Sequence, residues 1–416
     1  MLTVPEASAR ILADIRKLPA EKIPLLDTLG RVLAQSVVSP LTLPPWDNSA
    51  MDGYAVLAAD ISGATAEAPI TLPVRETVAA GAFPSGPIRA GLAVRIMTGA
   101  PIPEGTDTVV RVEDTDGGVD SVVVRDARDA GKNLRFRGED LRKGQTVMAP
   151  GAPLSAAQIG VLASVGASEV DVYRRPRVAI LGSGNELVDL DRFDEAVSGS
   201  KIVSSNSYTM HAMIRAAGGI PVDLGIARDD PADLRARLER ATGCDLIVTT
   251  AGVSVGEFDY VRDVLAGLGA EMKFWKIRMR PGAPLGFGAL NEVPWIGLPG
   301  NPVSVMVTFD LFVRPVIRRM LGYTRLFRRA LPVQLEEPVT IGAKLTHFLR
   351  GVVRVRADGT LSARLTGPQG SGILTSMAAA NALIIVPPER PRAEAGETVN
   401  AFLLGEDASL SEEFTL

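Results

Sequence analysis

The stretch from Asp245 to Ser304 places the tightest limits on what this 416-residue chain can become. Asp245-Leu-Ile-Val-Thr-Thr250 has the pattern of a buried strand, and it breaks into the small-residue turn Ala251-Gly-Val-Ser-Val-Gly256. Glu257 and Asp259 follow, and a helix is expected over Tyr260–Leu268. A second expected strand, Glu271–Ile277, runs into the cationic Lys276-Ile-Arg-Met-Arg280 and then Pro281-Gly282. A third, Trp295–Leu298, ends in Pro299-Gly-Asn-Pro-Val-Ser304 and feeds a long apolar helix, Pro302 to Leu321. Three strand ends thus bring hydroxyls, backbone donors, carboxylates and cations to one edge of a sheet. Ligands of open α/β sheets bind at that edge. A phosphorylated ligand with a metal ion suits these groups.

Strands expected at Val178–Leu181, Pro221–Ile226 and Leu246–Thr249 alternate with helices near Tyr208–Ala217, Ala232–Ala241 and Tyr260–Leu268. Such alternation predicts a doubly wound, mainly parallel α/β domain over residues 177–327. In the helix after Pro302, the helical spacing of Met306, Phe309, Val313, Ile317 and Met320 marks core rather than ligand contacts.

The flanking segments differ. Thr3-Val-Pro-Glu6 is a capping box that opens a helix with Ala7, Ile11 and Ile15 on its apolar face. Arg31–Val38 has the pattern of a strand. From Tyr54 to Val147, short strands separated by Gly and Pro predict a β-rich domain, residues 46–145. A helix over Ser155–Val165 is expected to rejoin the N-terminal helix. Residues 1–45 and 146–176 then form a helical and linker domain into which the β-rich one is inserted. Short strands at Val352–Val355, Leu361–Arg364, Ala382–Val386 and Thr398–Leu403 predict a small β-barrel or sandwich over 328–416. The length itself asks for three or four domains.

Composition excludes several function classes. A net charge of −4 provides no basic field for nucleic acid or an anionic membrane. A single cysteine, Cys244, rules out internal disulfides and thiolate metal clusters and suits a reducing, cytoplasmic setting. With His211 and His347 the only histidines, a histidine-rich zinc site is not expected. The charged, amphipathic Met1–Arg16 is not a signal peptide, and no apolar run is long enough to span a bilayer.

Chemistry is expected at five places. Asn301 and Pro302 suit a helix start whose free N–H groups attract anions, with Gly300 before them and Ser304 after. Capping alone would also explain both residues. Thr249, Thr250 and Ser254 offer hydroxyls, and Gly252 and Gly256 offer close backbone approach to phosphate, although the turn is neither a Walker loop nor a dinucleotide fingerprint. Asp52, Glu186, Asp229 and Asp259 lie at strand ends or turns, where carboxylates can share a magnesium ion with substrate phosphates; each alone would pass for a solvated charge. Lys276 and Arg280 are four apart, which on one extended strand puts both on one face. Met97-Thr98-Gly99-Ala100-Pro101 adds an exposed hydroxyl at a strand-to-turn corner.

Five motifs in order then acquire a common meaning. Pro45-Trp-Asp-Asn-Ser-Ala-Met-Asp-Gly-Tyr-Ala55, Met97-Thr-Gly-Ala-Pro101, Gly182-Ser-Gly-Asn-Glu-Leu187, Gly252-Val-Ser-Val-Gly-Glu-Phe-Asp-Tyr260 and Leu298-Pro-Gly-Asn-Pro-Val-Ser304 resemble the molybdopterin molybdenumtransferases, the MoeA group shared with the E domain of gephyrin. The likeness covers nearly the whole chain, including Gly367-Pro-Gln-Gly-Ser371. It implies a homodimer of four-domain subunits that inserts molybdate into adenylylated molybdopterin, with magnesium and release of AMP, downstream of a molybdopterin adenylyltransferase. Carried across, the functional acids and hydroxyl are Asp52, Thr98, Glu186, Asp229 and Asp259, with Asp229 and Asp259 as metal ligands. The basic positions are Lys276 and Arg280. The oxyanion pocket is implied to use Arg280, Pro281 and Ser304, with Arg350 and Ser371 from the C-terminal domain. Three positions depart from the family pattern: Arg280 for lysine, Ala251 for glycine and Asn185 for aspartate.

Two other readings share parts of this pattern. An adenylyltransferase acting on the same pterin would have the 177–321 domain but not the Asp52 and Thr98 motifs. A non-catalytic scaffold of the gephyrin type would have no need of Asp52, Thr98, Asp259 and Lys276 together.

Overall fold

The computed structural model describes residues 1–251, 260–342 and 344–405. It divides into two units. The first is Met1–Ala34 with Gly151–Ser155 and everything from Glu169; the second is Gln35–Pro150 with Ala156–Ser168.

The first unit opens with the helix Val4–Ala13, set by local rules. Thr3 Oγ1 accepts from the Glu6 N–H at 3.4 Å while the Glu6 carboxylate accepts from the Thr3 N–H at 2.8 Å, and Pro5 occupies the first turn. Its apolar residues Ala7 and Ile11, with Ile15 just past its end, are buried in the same core as the helix after Pro302.

A six-stranded sheet runs in the order Ile220–Ala227, Arg177–Ser183, Leu246–Thr250, Val293–Leu298, Pro284–Leu290, Glu271–Lys276. The first four strands run parallel to one another; the pairings of the fourth with the fifth and of the fifth with the sixth are antiparallel. The strand Pro284–Leu290 escapes a pattern-based reading because Gly286 and Gly288 interrupt it. Both glycines answer close approach. A Cβ at Gly286 would stand 2.5 Å from the Trp295 ring, and one at Gly288 would stand 2.2 Å from the Glu271 carbonyl. Alternate residues of each strand divide between two cores: Val178, Ile180, Leu246 and Val248 on one face, Ala179, Leu181 and Ile247 on the other.

The helix after Pro302 has three parts: α-helix Pro302–Thr308, a π-turn Phe309–Val313 and α-helix Arg314–Met320. Pro315 has no N–H to offer the carbonyl of Leu311, which breaks the regular ladder at this point. Asp310, buried in the π-turn, pairs with Arg314 at 3.1 Å and Arg328 at 2.9 Å.

Beyond it, Thr346–Val355, Leu361–Leu365, Ala330–Leu335, Thr398–Leu403 and Ala382–Val386 close into a five-stranded barrel. Its interior is filled by Val333, Val353, Ile384 and their neighbours. Of the barrel and sandwich alternatives, the barrel is therefore the one formed. The two-residue strand Met279–Arg280 pairs in parallel with Thr346–His347 at its wall.

The second unit holds a five-stranded sheet, Thr108–Arg111, Gly53–Val56, Ala93–Ile96, Ile70–Val78 and Ser121–Val124, over a core containing Tyr54, Ile61 and Val110. Two expectations are corrected. Within Arg31–Val38 only Val37–Val38 joins a ladder, while Val32 and Leu33 make isolated bridges. The helix Ala156–Ser164 groups with the second unit and not with Val4–Ala13. In the first unit the returning chain is instead tied by the antiparallel strands Ala20–Pro24 and Glu169–Tyr173. Among the described residues no helix is long and apolar enough to cross a membrane.

Candidate functional site

Within the first unit, the strand ends of the sheet and one side of the barrel enclose a cavity of about 1170 Å³. Thr250, Gly300, Asn301 and Ser304 line it from the α/β side, with Glu186 at another strand end. Arg280 and Pro281 form a middle wall, and Arg350 and Ser371 come from the barrel. Gly252, Ser254 and Asp259 lie outside the described residues.

Thr250 ends a fully buried strand. Its neighbour Thr249 points the other way and accepts the Trp295 indole N–H at 3.2 Å. Ala251 follows at φ +66°, a left-handed conformation that a side chain disfavours. The substitution of alanine for glycine there therefore falls on a position where the backbone needs positive φ.

Glu186 is admitted by the glycine before Asn185. A Cβ on Gly184 would stand 2.6 Å from the Glu186 carboxylate. Asp229 is held by a reciprocal clasp: its Oδ2 accepts the Asn185 N–H at 3.0 Å, and Asn185 Oδ1 accepts the Asp229 N–H at 3.2 Å. This ties together the ends of the two neighbouring strands Arg177–Ser183 and Ile220–Ala227. Asn185 thus does structural work that an aspartate could equally do as an acceptor. Asp229 itself does not line the cavity.

The expectation that Lys276 and Arg280 share one strand face is corrected. Lys276 ends the edge strand of the sheet, whereas Arg280 lies on the separate strand against the barrel. The chain leaves the sheet at Ile277, whose N–H donates to Ala283 O at 3.0 Å. Both cations are exposed, but only Arg280 lines the cavity.

The helix start is also more occupied than its sequence implies. Asn301 stands at the N-cap position without a side-chain cap bond. The Val303 N–H donates to Ser371 O at 3.1 Å, so the Gly367–Ser371 loop of the barrel takes one of the donors expected for an anion. Asn206 adds a brace, its Nδ2 donating to Gly300 O at 2.7 Å.

That loop is organised by Arg350, which is fully buried. Its Nε donates to Ser376 Oγ at 3.0 Å, Nη1 to Gln369 O at 3.1 Å, and Nη2 to Gly370 O at 2.9 Å and Pro368 O at 3.3 Å. Gln369 closes the knot, its Oε1 accepting the Arg350 N–H at 2.8 Å and its Nε2 donating to Arg350 O at 3.1 Å. Burial pulls the guanidinium below its usual pKa. The resemblance implies an oxyanion ligand here; the geometry makes Arg350 first of all the anchor of the loop. Asn206 and Gln369 were missed from the sequence, because an amide bonded to backbone carries no spacing signal.

In the second unit, Asp52 and Thr98 are hydrogen-bonded to each other. Asp52 Oδ1 accepts the Thr98 N–H at 2.7 Å, and hydrogen bonding from Thr98 holds the carboxyl below the ordinary aspartate range. Both residues are exposed.

Comparison with known proteins agrees with this architecture along the whole chain. Residues 2–166 match the family described as MoeA N-terminal region (domain I and II). Residues 179–319 match the probable molybdopterin binding domain, and residues 332–404 the MoeA C-terminal region (domain IV). Molybdopterin molybdenumtransferase 2 of Mycobacterium tuberculosis is 39% identical over 380 residues, covering 90% of this chain and 92% of that protein. The molybdopterin molybdenumtransferase of Haemophilus influenzae is 34% identical, covering 96% of this chain and 98% of the relative. The crystal structure of the molybdopterin biosynthesis moeA protein from Pyrococcus horikoshii OT3 superimposes with a TM-score of 0.83 at 29% identity, over 97% of this chain and 100% of that one. With its three regions matched in order and its relatives matched nearly end to end, the chain belongs to the molybdopterin molybdenumtransferase (MoeA) family, enzymes of molybdenum cofactor biosynthesis.

Proposed function

We propose that this enzyme inserts molybdate into adenylylated molybdopterin, with water cleaving the phosphoanhydride and AMP leaving. The observation that carries this reading is the single cavity lined together by the cation Arg280, the buried Ser304 and the acid Glu186. Arg280 supplies the charge for an oxyanion, and the hydroxyls supply neutral donors. Thr250 lines the cavity at a strand end, where ligands of open α/β sheets bind and a phosphate would enter.

Magnesium fits the donor chemistry. Among the described residues no group of three or more His, Cys, Asp or Glu is gathered. Magnesium asks for less, usually one or two carboxylates with substrate oxygens completing the shell. Asp229 and Asp259 are the proposed ligands, and Asp229 is already oriented by the Asn185 N–H. When bound, the ion would neutralise charge developing on phosphate oxygens.

The working form is proposed to be a cytoplasmic homodimer that receives its substrate from a molybdopterin adenylyltransferase. Asp52 and Thr98 of one subunit would serve the α/β domain of the other. The test is to supply purified protein with adenylylated molybdopterin and molybdate, vary magnesium, and follow AMP together with reconstitution of an apo-molybdoenzyme. Failure to produce either product would sink the reading.

A further inference from the structure

Asp129, in the second unit, is a fully buried acid that the proposed reaction does not use. A carboxylate in that position is costly unless donors fill its oxygens. Three donors from one residue do so. Arg111 Nε donates to Oδ2 at 2.9 Å, Nη2 donates to Oδ1 at 2.7 Å, and the Arg111 main-chain N–H donates to Oδ2 at 3.1 Å. Hydrogen bonding from Arg111 holds the carboxyl below the ordinary aspartate range, so it stays charged. A second acid, Asp114, stands 3.4 Å from Arg111 Nε, but Arg128 Nε already donates to it at 2.7 Å. Asp129 therefore grips the side chain and the backbone of Arg111 at once.

That grip bears on Asp52. Arg111 ends the strand Thr108–Arg111 and stands opposite Gly53 in the antiparallel ladder with Gly53–Val56. A Cβ on Gly53 would lie 1.9 Å from the Val110 carbonyl oxygen and 3.1 Å from Arg111 Cα, so the two chains are in direct contact there. One residue further on, the Val112 N–H donates to Asp52 O at 3.0 Å. The turn that carries Asp129 supports the same segment from its other end. Asn133 O accepts the Ala50 N–H at 2.9 Å, Asn133 Nδ2 donates to Val109 O at 2.8 Å, and the Gly131 N–H donates to Thr108 Oγ1 at 2.8 Å. Residues 50–53 are thus suspended between Arg111–Val112 and the 129–133 turn. The Asp129–Arg111 pair ties those two supports together.

We propose that Asp129 is a positioning residue for Asp52: through Arg111 it fixes the main chain that presents the Asp52 carboxylate to the Thr98 N–H. This rests on the reading that Asp52 serves the reaction, and adds to it the buried pair that stands behind Asp52. Loosening the pair frees the Arg111–Val112 backbone, and with it the Asp52 carbonyl bonded to Val112. Displacement of a group in an active site by about 1 Å can cost about a hundredfold in rate.

The experiment compares full-length Asp129→Ala, Asp129→Asn and Asp52→Ala with the unaltered chain, with circular dichroism to confirm folding. Two quantities are read: the carboxyl NMR titration of Asp52, and AMP release from adenylylated molybdopterin with molybdate and magnesium. The titration separates position from charge. Removing the Asp129 charge and leaving Arg111 unpaired would, by electrostatics alone, lower the Asp52 midpoint. Losing the Thr98 hydrogen bond instead raises it toward the ordinary value of about 3.9. The expected result is a raised midpoint in both Asp129 variants, with AMP release down about tenfold or more. Asp129→Asn keeps the size of the side chain and one acceptor for the Arg111 N–H, so it carries the test should Asp129→Ala fail to fold. A midpoint unchanged or lowered in the folded variants overturns the proposal, whatever the rate. So does normal AMP release by Asp129→Asn when Asp52→Ala is inactive. Normal release by Asp52→Ala itself removes Asp52 from the reaction, which is a failure of the reading beneath; the midpoint then still decides whether Asp129 places the carboxylate.

Discussion

At the scale of single residues, Ala251 carries a cost that can be measured. Its φ of +66° sits in the left-handed region, where a Cβ costs roughly 1–2 kcal/mol. Ala251→Gly is expected to raise unfolding stability by about 0.5–1 kcal/mol after glycine's added freedom in the unfolded chain is allowed for. Denaturant titration checks it, and an unchanged or lower midpoint contradicts the strain. Arg280→Ala is expected to weaken molybdate binding about tenfold while leaving binding of the pterin nucleotide nearly unchanged, since a charge-assisted contact contributes about 1.5–3 kcal/mol. Equal loss of both ligands in calorimetry would make Arg280 a general structural contact. Asp52 makes a pH prediction. Its folded pKa is depressed by the Thr98 N–H, so the contact is fully present above the unfolded value and fades only as pH falls through the lower, folded one. Carboxyl NMR titration should give a midpoint below the ordinary aspartate value of about 3.9. A midpoint at or above that value removes the contact, and a loss of activity between pH 5 and 7 would then need another group.

At the scale of elements, the Gly367–Ser371 loop depends on one guanidinium whose donors reach three successive carbonyls and Ser376. Lysine keeps the charge but not the planar fork. Arg350→Lys should therefore lower stability by about 2–3 kcal/mol, because buried carbonyls left unpaired cost about 1–3 kcal/mol each. A loss under about 0.5 kcal/mol in chemical denaturation would show that the loop is held by something else. The same elements show what a sequence discloses. The four parallel strands, the capped first helix and the helix after Pro302 announce themselves through period and caps, because local chemistry and burial agree there. The strand Pro284–Leu290 does not, because its glycines serve a tryptophan ring and a carbonyl contributed by distant segments. Of the candidate site, Glu186, Thr250, Arg280 and Ser304 were legible as groups at strand ends. The bond from Val303 to the barrel loop was not, since its partner lies 68 positions away in sequence, at Ser371. Nor was the separation of Lys276 from Arg280, which follows from a change of sheet within four residues.

At the scale of the whole molecule, the proposed homodimer can be tested by mixing two inactive chains. Asp52→Ala and Asp259→Ala disable different parts of a site that would be shared between subunits; about half of randomly paired dimers are hybrids with one intact site of two, so an equal mixture should regain about a quarter of normal activity. Mixtures as inactive as their parents would mean that each subunit works alone. A last consequence comes from the strand Met279–Arg280, which hydrogen-bonds to Thr346–His347 of the barrel while remaining covalently part of the α/β chain. The barrel closes on itself and leaves no free edge, so it has the look of an exchangeable cassette. It is not one. Cut away at Ala330, it would take with it the rail on which Arg280 is aligned; grafted onto a foreign α/β domain, it would arrive without its cation. Whoever transplants this module must move the two-residue splice at Met279–Arg280 along with it, or obtain a sound barrel beside an unformed cavity.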